Sequence, residues 1–156
     1  MEGKEIIYGL GILLTFALGV WNLIANYHAT RRTSFINTVT SQRVKWIEQL
    51  RQDISSFSGL THTWCCSELE GKPEETEMLK EIDRLRHVIR LRLNPDATHD
   101  RKITQLIRKI PELTDISKRT ELKEALEELT VTTQLLLSEE WKKVKAEAKY
   151  GDLQEK

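Results

Sequence analysis

Two hydrophobic patterns divide the chain. From Ile6 to Ala25, twenty consecutive residues carry no charge and nearly all are apolar. At about 1.5 Å rise per residue, a helix of that length crosses the ~30 Å hydrocarbon core of a bilayer. A helix is required there, because only internal hydrogen bonding satisfies a backbone in lipid. Trp21 and Tyr27 lie where an interfacial aromatic belt would fall. A cleaved signal peptide would have a shorter apolar run and a basic start. Met1–Glu5 instead holds one lysine and two glutamates. The competing reading of such a run is a buried helix of a soluble protein.

The second pattern begins after Thr30. Ile36, Val39, Ile47, Leu50, Ile54 and Phe57 recur close to every 3.5 residues, with Arg43 in the same seam. Neither Pro nor Gly occurs between Ala25 and Ser58, so the membrane helix is expected to continue as one long cytoplasmic helix. Leu60 and Trp64 extend the seam past Gly59, toward about Leu69, before Gly71-Lys72-Pro73 breaks it. A second helix is expected from about Glu74 to Leu93, with Met78, Ile82, Leu85, Ile89 and Leu93 on one face. Asn94-Pro95 ends it, since a residue before proline avoids the helical region. Asp96 or Thr98 is expected to cap a third helix bearing Ile103, Leu106, Ile107 and Ile110, closed by Pro111. Ser117 is expected to cap a fourth, carrying Leu122, Leu126, Leu129, Leu136, Leu137 and Val144 as far as Tyr150, with Gly151 as its stop.

No segment of useful length alternates with period two, and there is no internal repeat. The expected class is all-α: one N-terminal transmembrane helix followed by a cytoplasmic bundle of about four helices. The expected division is a short external head at 1–5, a transmembrane helix at 6–27, a cytoplasmic helical domain at 28–150 and a tail at 151–156. Arg31, Arg32, Arg43, Lys45 and Arg51 follow the span, against Glu48 alone, so the positive-inside rule places the C-terminal side in the cytoplasm and the head outside. For a bacterial cell this means the inner membrane.

Composition narrows the function. The chain has 156 residues, with 24 Lys+Arg against 24 Asp+Glu, which excludes an acidic solvating tail and a uniformly basic nucleic-acid coat. The length holds an anchor and one small domain, with no room for a large catalytic domain. Two cysteines exclude a disulfide scaffold. Cys65-Cys66, with His62 nearby, lacks the second ligand cluster of a structural zinc site, since His87 and His99 stand apart. Both cysteines are expected to be small buried apolar residues, with no metal and no cofactor. There is no Gly-rich phosphate loop, nucleophile elbow or His-Glu-x-x-His, so no enzyme signature stands out.

Three groups of residues carry candidate functions. Gly11, Thr15, Gly19, Asn22 and Asn26 form one stripe of the span. Small residues four apart let helices approach closely, and asparagines hydrogen-bond between helices in lipid. The stripe is therefore an expected oligomer contact or, in a ring, a pore lining. Its bland reading is the ordinary abundance of Gly and Thr in membrane helices. Arg84, Arg86, Arg90, Arg92, Arg101, Lys102, Arg108 and Lys109 set eight basic residues against Asp96 and Asp100 over residues 84–109. They suit an anionic partner such as RNA, a nucleotide signal or lipid headgroups. The alternative is a solvated face neutralised by the acidic runs on either side, and the absence of interleaved aromatics weighs against single-strand stacking. Lastly, Arg92 and His99 satisfy Arg-x4–6-His, the short signature of HEPN ribonucleases: histidine as general acid/base, arginine on the scissile phosphate. Leu93 stands where that signature carries a polar residue, and Pro95 interrupts the helix between the two.

Thr40–Arg51 (TSQRVKWIEQLR), Arg90–Pro95 (RLRLNP) and Gln134–Lys145 (QLLLSEEWKKVK) resemble, in the same order, small bacterial proteins with one membrane helix and a helical cytoplasmic domain. The chain is also similar to the single-pass accessory proteins of type VI-B CRISPR systems. That resemblance implies a ring with a membrane pore, a role in antiviral defence and a HEPN-like pair, for which Arg92 and His99 are the matching positions. The resulting expectation is an oligomeric inner-membrane effector that forms a pore or perturbs the membrane, with a CRISPR-type protein as one possible partner. The alternatives are a membrane-tethered HEPN-like ribonuclease, and a non-enzymatic tether or scaffold for a cytoplasmic partner.

Overall fold

The computed structural model describes residues 2–67 and 71–150. All its regular structure is helical. Helix α1 runs unbroken over Glu2–Cys66, 65 residues, or about 98 Å at the α-helical rise. Helix α2 is Pro73–Arg92, α3 is Thr98–Lys109 and α4 is Arg119–Tyr150. Short 3₁₀ turns at Ile110–Leu113 and Ile116–Lys118 join α3 to α4.

The C-terminal half of α1 is one wall of a four-helix bundle. It packs on α2 and α4, α3 packs on α4 and α2, and the ring closes. Neighbours run antiparallel: Asp53 of α1 meets Arg92 at the end of α2, and Thr40 meets Glu147 near the end of α4. The core is Ile47, Leu50, Ile54 and Phe57 of α1, Ile82, Leu85 and Ile89 of α2, Ile103 and Ile107 of α3, and Leu122 and Leu129 of α4, together with Ile110 between α3 and α4. Phe57, Leu50 and Ile47 are fully buried. At roughly 1.5–3 kcal/mol for each such side chain removed from water, this seam dominates the stability of the domain.

The punctuation is mostly as the residues dictate. Gly71 adopts φ +77°, a conformation that side-chain-bearing residues avoid. Its N–H donates to Glu75 Oε2 at 2.6 Å, and Pro73 starts α2, where a missing N–H costs nothing. Glu74 and Glu75 in the first turn and Arg90 and Arg92 in the last turn of α2 complement its dipole. Gly59 does not interrupt α1, since flanking core contacts at Phe57 and Thr61 hold the helix through it.

Three boundaries differ from expectation. Neither Asp96 nor Thr98 caps α3. The N-cap is Ala97, without a side-chain bond, and Asp100 inside the first turn reaches back to accept from the Asn94 N–H at 2.7 Å. Pro111 does not end the helical path, because the chain tightens into a 3₁₀ turn that buries Ile110 and Leu113. Ser117 does not cap α4. Asp115 accepts from the Ser117 N–H at 2.8 Å and caps the 3₁₀ turn leading into the helix. Leu69, Gly151 and the tail at 151–156 lie outside the described residues.

Candidate functional site

The N-terminal part of α1 leaves the bundle. Ile36 is the first buried side chain of α1 among those described. Over Tyr8–Tyr27 the helix is long and apolar enough to cross a membrane, with a mean hydropathy of 1.7 and none of it buried against the protein. Phe16, Trp21, Leu23 and Tyr27 are each more than 60% exposed. Soluble monomers rarely expose a contiguous apolar surface beyond a few hundred Å². A helix exposing this many large apolar side chains needs lipid or protein around it.

The stripe of Gly11, Thr15, Gly19, Asn22 and Asn26 lies along this bare helix. A shallow apolar groove runs over Tyr8, Gly11, Thr15, Phe16, Gly19, Val20 and Leu23. A Cβ added at Gly11 or Gly19 would meet nothing within 4 Å, so these glycines answer to no packing inside the chain. The polar groups of the stripe are satisfied locally. Thr15 Oγ1 donates to the Gly11 carbonyl at 2.8 Å, and Asn26 Nδ2 donates to Asn22 Oδ1 at 3.3 Å. These bonds lower the cost of placing the residues in lipid. They leave the remaining amide protons and lone pairs for a neighbour.

Where α1 enters the bundle, its seam turns polar. Thr40 and Arg43 fill the two positions between Ile36 and Ile47, opposite Glu147 and Glu140 of α4. Arg43 Nη1 lies 2.8 Å from Glu147 Oε1, and Arg43 Nε lies 3.6 Å from Glu140 Oε2. Thr40 Oγ1 donates to Glu147 Oε2 at 2.8 Å, and Lys143 Nζ to Glu140 Oε1 at 2.8 Å. Glu147 is 1% and Glu140 3% exposed. Burial of two carboxylates is tolerated only because two cations and a hydroxyl answer them. The sequence pattern places Arg43 in the seam, whereas the charge of the two glutamates suggests a solvent face. The signal was present: Glu140 falls four residues after Leu136 and four before Val144, and Glu147 three after Val144, all on the core face of α4.

The Arg92/His99 pair does not meet at one point. Arg92 faces α1: Nε donates to Asp53 Oδ2 and Nη1 to Gln49 Oε1, both at 2.7 Å, and its carbonyl accepts from Trp46 Nε1 at 3.0 Å. His99 lines a cleft of about 450 Å³ with Trp46, Asp96, Glu139, Glu140 and Lys143, and its Nε2 stands 3.2 Å from Glu139 Oε1. Arg92 does not line that cleft. An arginine neutralised by a carboxylate supplies little charge to a phosphate, and this cleft carries more acid than base.

The basic segment sorts into two sets. Arg84 pairs with Glu81, Arg86 with Asp83, Arg92 with Asp53 and Lys102 with Glu128, at 2.6–2.7 Å. The Arg84 pairing holds the Glu81 carboxyl below the ordinary carboxylate range. Arg90, Arg101 and Arg108 instead line one groove between α2 and α3 with His87. Lys109 is exposed at the end of α3.

Cys65 is buried and Cys66 exposed. The expectation of two buried cysteines therefore fails for Cys66, because adjacent helical residues point about 100° apart and only one can face the core. Burial, then the neighbouring Cys66, pushes the Cys65 thiol above its usual range. Cys66 Sγ lies 3.8 Å from His62 Nε2. Among the described residues no group of three or more His, Cys, Asp or Glu side chains is arranged to hold a metal ion. Compared with family models, curated proteins and solved structures, the chain matches none.

Proposed function

We propose that this chain is a single-pass inner-membrane protein that self-associates through its membrane helix and acts on the membrane, its four-helix bundle lying in the cytoplasm. One observation carries the reading. Tyr8–Tyr27 is apolar, of bilayer length and unburied among its described side chains, and it is the same helix whose other half forms a wall of the bundle. No loop uncouples the two parts, so a tilt or rotation of the bundle is transmitted directly into the membrane. The Gly11–Asn26 stripe supplies the contact between copies. In a ring, its asparagines and threonine would line a polar path. A role in defence against phage rests on the resemblance to the type VI-B accessory proteins.

The test is the mass of the full-length protein in detergent or nanodiscs, by light scattering or particle imaging. A discrete assembly of four or more chains, broken by Gly11→Ile with Gly19→Ile, is expected. Isoleucine at both sites fills the groove and holds backbones apart. A monomer, or an assembly whose size ignores the double substitution, overturns association through the stripe. A monomer would leave the second reading, an anchored scaffold, which the exposed faces of the bundle would serve.

A further inference from the structure

The groove between α2 and α3 shows a separation of charge that the basic segment alone does not. Of its eight basic residues, four are tied to acidic partners. Three of the others, Arg90, Arg101 and Arg108, converge on one depression of about 590 Å³, and no acidic side chain lines it. Among the described residues these three arginines make no ion pair. Leaving like charges together without counter-charge costs free energy, and an anion that occupies the groove recovers it.

We infer that this groove binds a soluble nucleotide through its phosphates. The volume falls within the range of small-ligand sites. Arg101 and Arg108 stand two turns apart on α3, about 10 Å along its axis, with Arg90 facing them from α2. A planar guanidinium takes two oxygens of one phosphate, and three of them suit a ligand with several phosphates. The groove also has an apolar side. Leu91 is 87% exposed, far more than any other leucine of α2, and stands with Pro95 at the groove. An apolar platform beside phosphate-binding arginines accommodates a base and sugar, which inorganic phosphate or an acidic peptide does not require. Thr104 and Gln105 add neutral hydrogen-bonding groups.

Lipid headgroups bear the same phosphates but lie too far away. The end of α2 is held level with Trp46, where the indole binds the Arg92 carbonyl. Trp46 follows Tyr27 by 19 residues of one helix, about 28 Å of rise. The headgroup layer takes up about 6 Å of that. The remainder exceeds two Debye lengths of about 8 Å at physiological salt. The exclusion of lipid rests on the membrane reading, whereas nucleotide binding does not.

Isothermal titration of the full-length protein in neutral detergent with ATP and with GTP tests the inference. Saturable binding of at least one of them, one per chain, is expected. Arg101→Ala with Arg108→Ala should weaken it at least tenfold, a loss of about 1.4 kcal/mol or more. Arg84→Ala with Arg86→Ala, which removes as much charge outside the groove, should leave it unchanged. All four arginines are on the bundle surface, and an unshifted melting temperature confirms that each variant folds. No saturable binding of either nucleotide overturns the inference. So does equal weakening by the two double variants, or displacement of nucleotide by phosphatidic acid added in mixed micelles of the same detergent, which would give the groove to a headgroup. The detergent-solubilised mass can fail its own test without touching these outcomes.

Discussion

Replacing Arg43 by methionine keeps an unbranched apolar stem in the α1–α4 seam and deletes the guanidinium with its charge. Glu147, 1% exposed, keeps the Thr40 hydroxyl at 2.8 Å but loses the guanidinium that balances its charge. Glu140 keeps Lys143 at 2.8 Å. Removing one partner of a buried ion pair costs about 3–5 kcal/mol, because the remaining charge is stranded. The Arg43 side chain is 14% exposed, so water reaches part of the site and the low end applies, about 3 kcal/mol. With an unfolding entropy near 2.1 cal/mol/K per residue over the ~115 residues of the bundle, that shifts the melting temperature by about 12 °C. The further change Glu147→Leu removes the stranded carboxylate. The double variant is expected within about 1 kcal/mol of the parent, since a well-packed apolar pair replaces a buried ion pair at little net cost. Thermal melts of the full-length parent, both single variants and the double variant, followed by circular dichroism, give the coupling energy. An Arg43→Met loss below about 1 kcal/mol, or a double variant that loses the sum of the two singles, would refute the claim that this layer is a coupled, water-poor network.

Other outcomes follow from single residues. Gly59→Ala is expected to stabilise by about 0.4–1 kcal/mol in denaturant unfolding, because Gly59 is helical and an added Cβ meets nothing within 4 Å; destabilisation would mean that the helix does not run through this point. At pH 8 a chromogenic disulfide reagent should titrate one fast thiol per native chain, lost in Cys66→Ser, since Cys65 is buried and its thiol is held up by that burial; two equally fast thiols would contradict the packing. The Ser117 hydroxyl, then its N–H, hold the Asp115 carboxyl below its ordinary value of 3.8. A lowered folded-state value stabilises above the unfolded value and is lost as pH falls through the folded one. The melting-temperature gap between the parent and Asp115→Asn should therefore be full at pH 7 and shrink below about pH 4. A gap that stays constant to pH 2.5 would remove Asp115 as a charged cap.

Helix count and breaks were legible because they depend on local chemistry. Gly71-Lys72-Pro73 and Asn94-Pro95 interrupt the chain wherever the rest of it goes, and α2 begins and ends within a residue of expectation. The seam from Ile47 to Phe57 was legible through its period. Glu140 and Glu147 read as solvent-facing from their charge, although their register is that of the core. Arg43 and Thr40 arrive from α1 to answer them beside Lys143 of α4 itself, and a helix pairing is not written in either segment alone. The basic run shows the same limit. Arg84 and Arg86 find acids three residues back on their own helix. Arg92 and Lys102 find theirs on α1 and α4, 39 residues away for Asp53. Which arginines remain for a ligand was thus decided by tertiary packing. At α3 the loop is closed from inside the first turn, where Asp100 accepts from the Asn94 N–H, rather than by a cap at Asp96 or Thr98.

The central claim is that Tyr8–Tyr27 crosses a bilayer while the same helix continues into a folded bundle. Alkaline carbonate extraction of cell membranes carrying the full chain, beside a version beginning at residue 28, tests it most directly. The full chain is expected to remain in the membrane pellet, and the shortened chain to be released with its helical circular dichroism intact. Release of the full chain into the supernatant, or retention of the shortened one, would contradict the account.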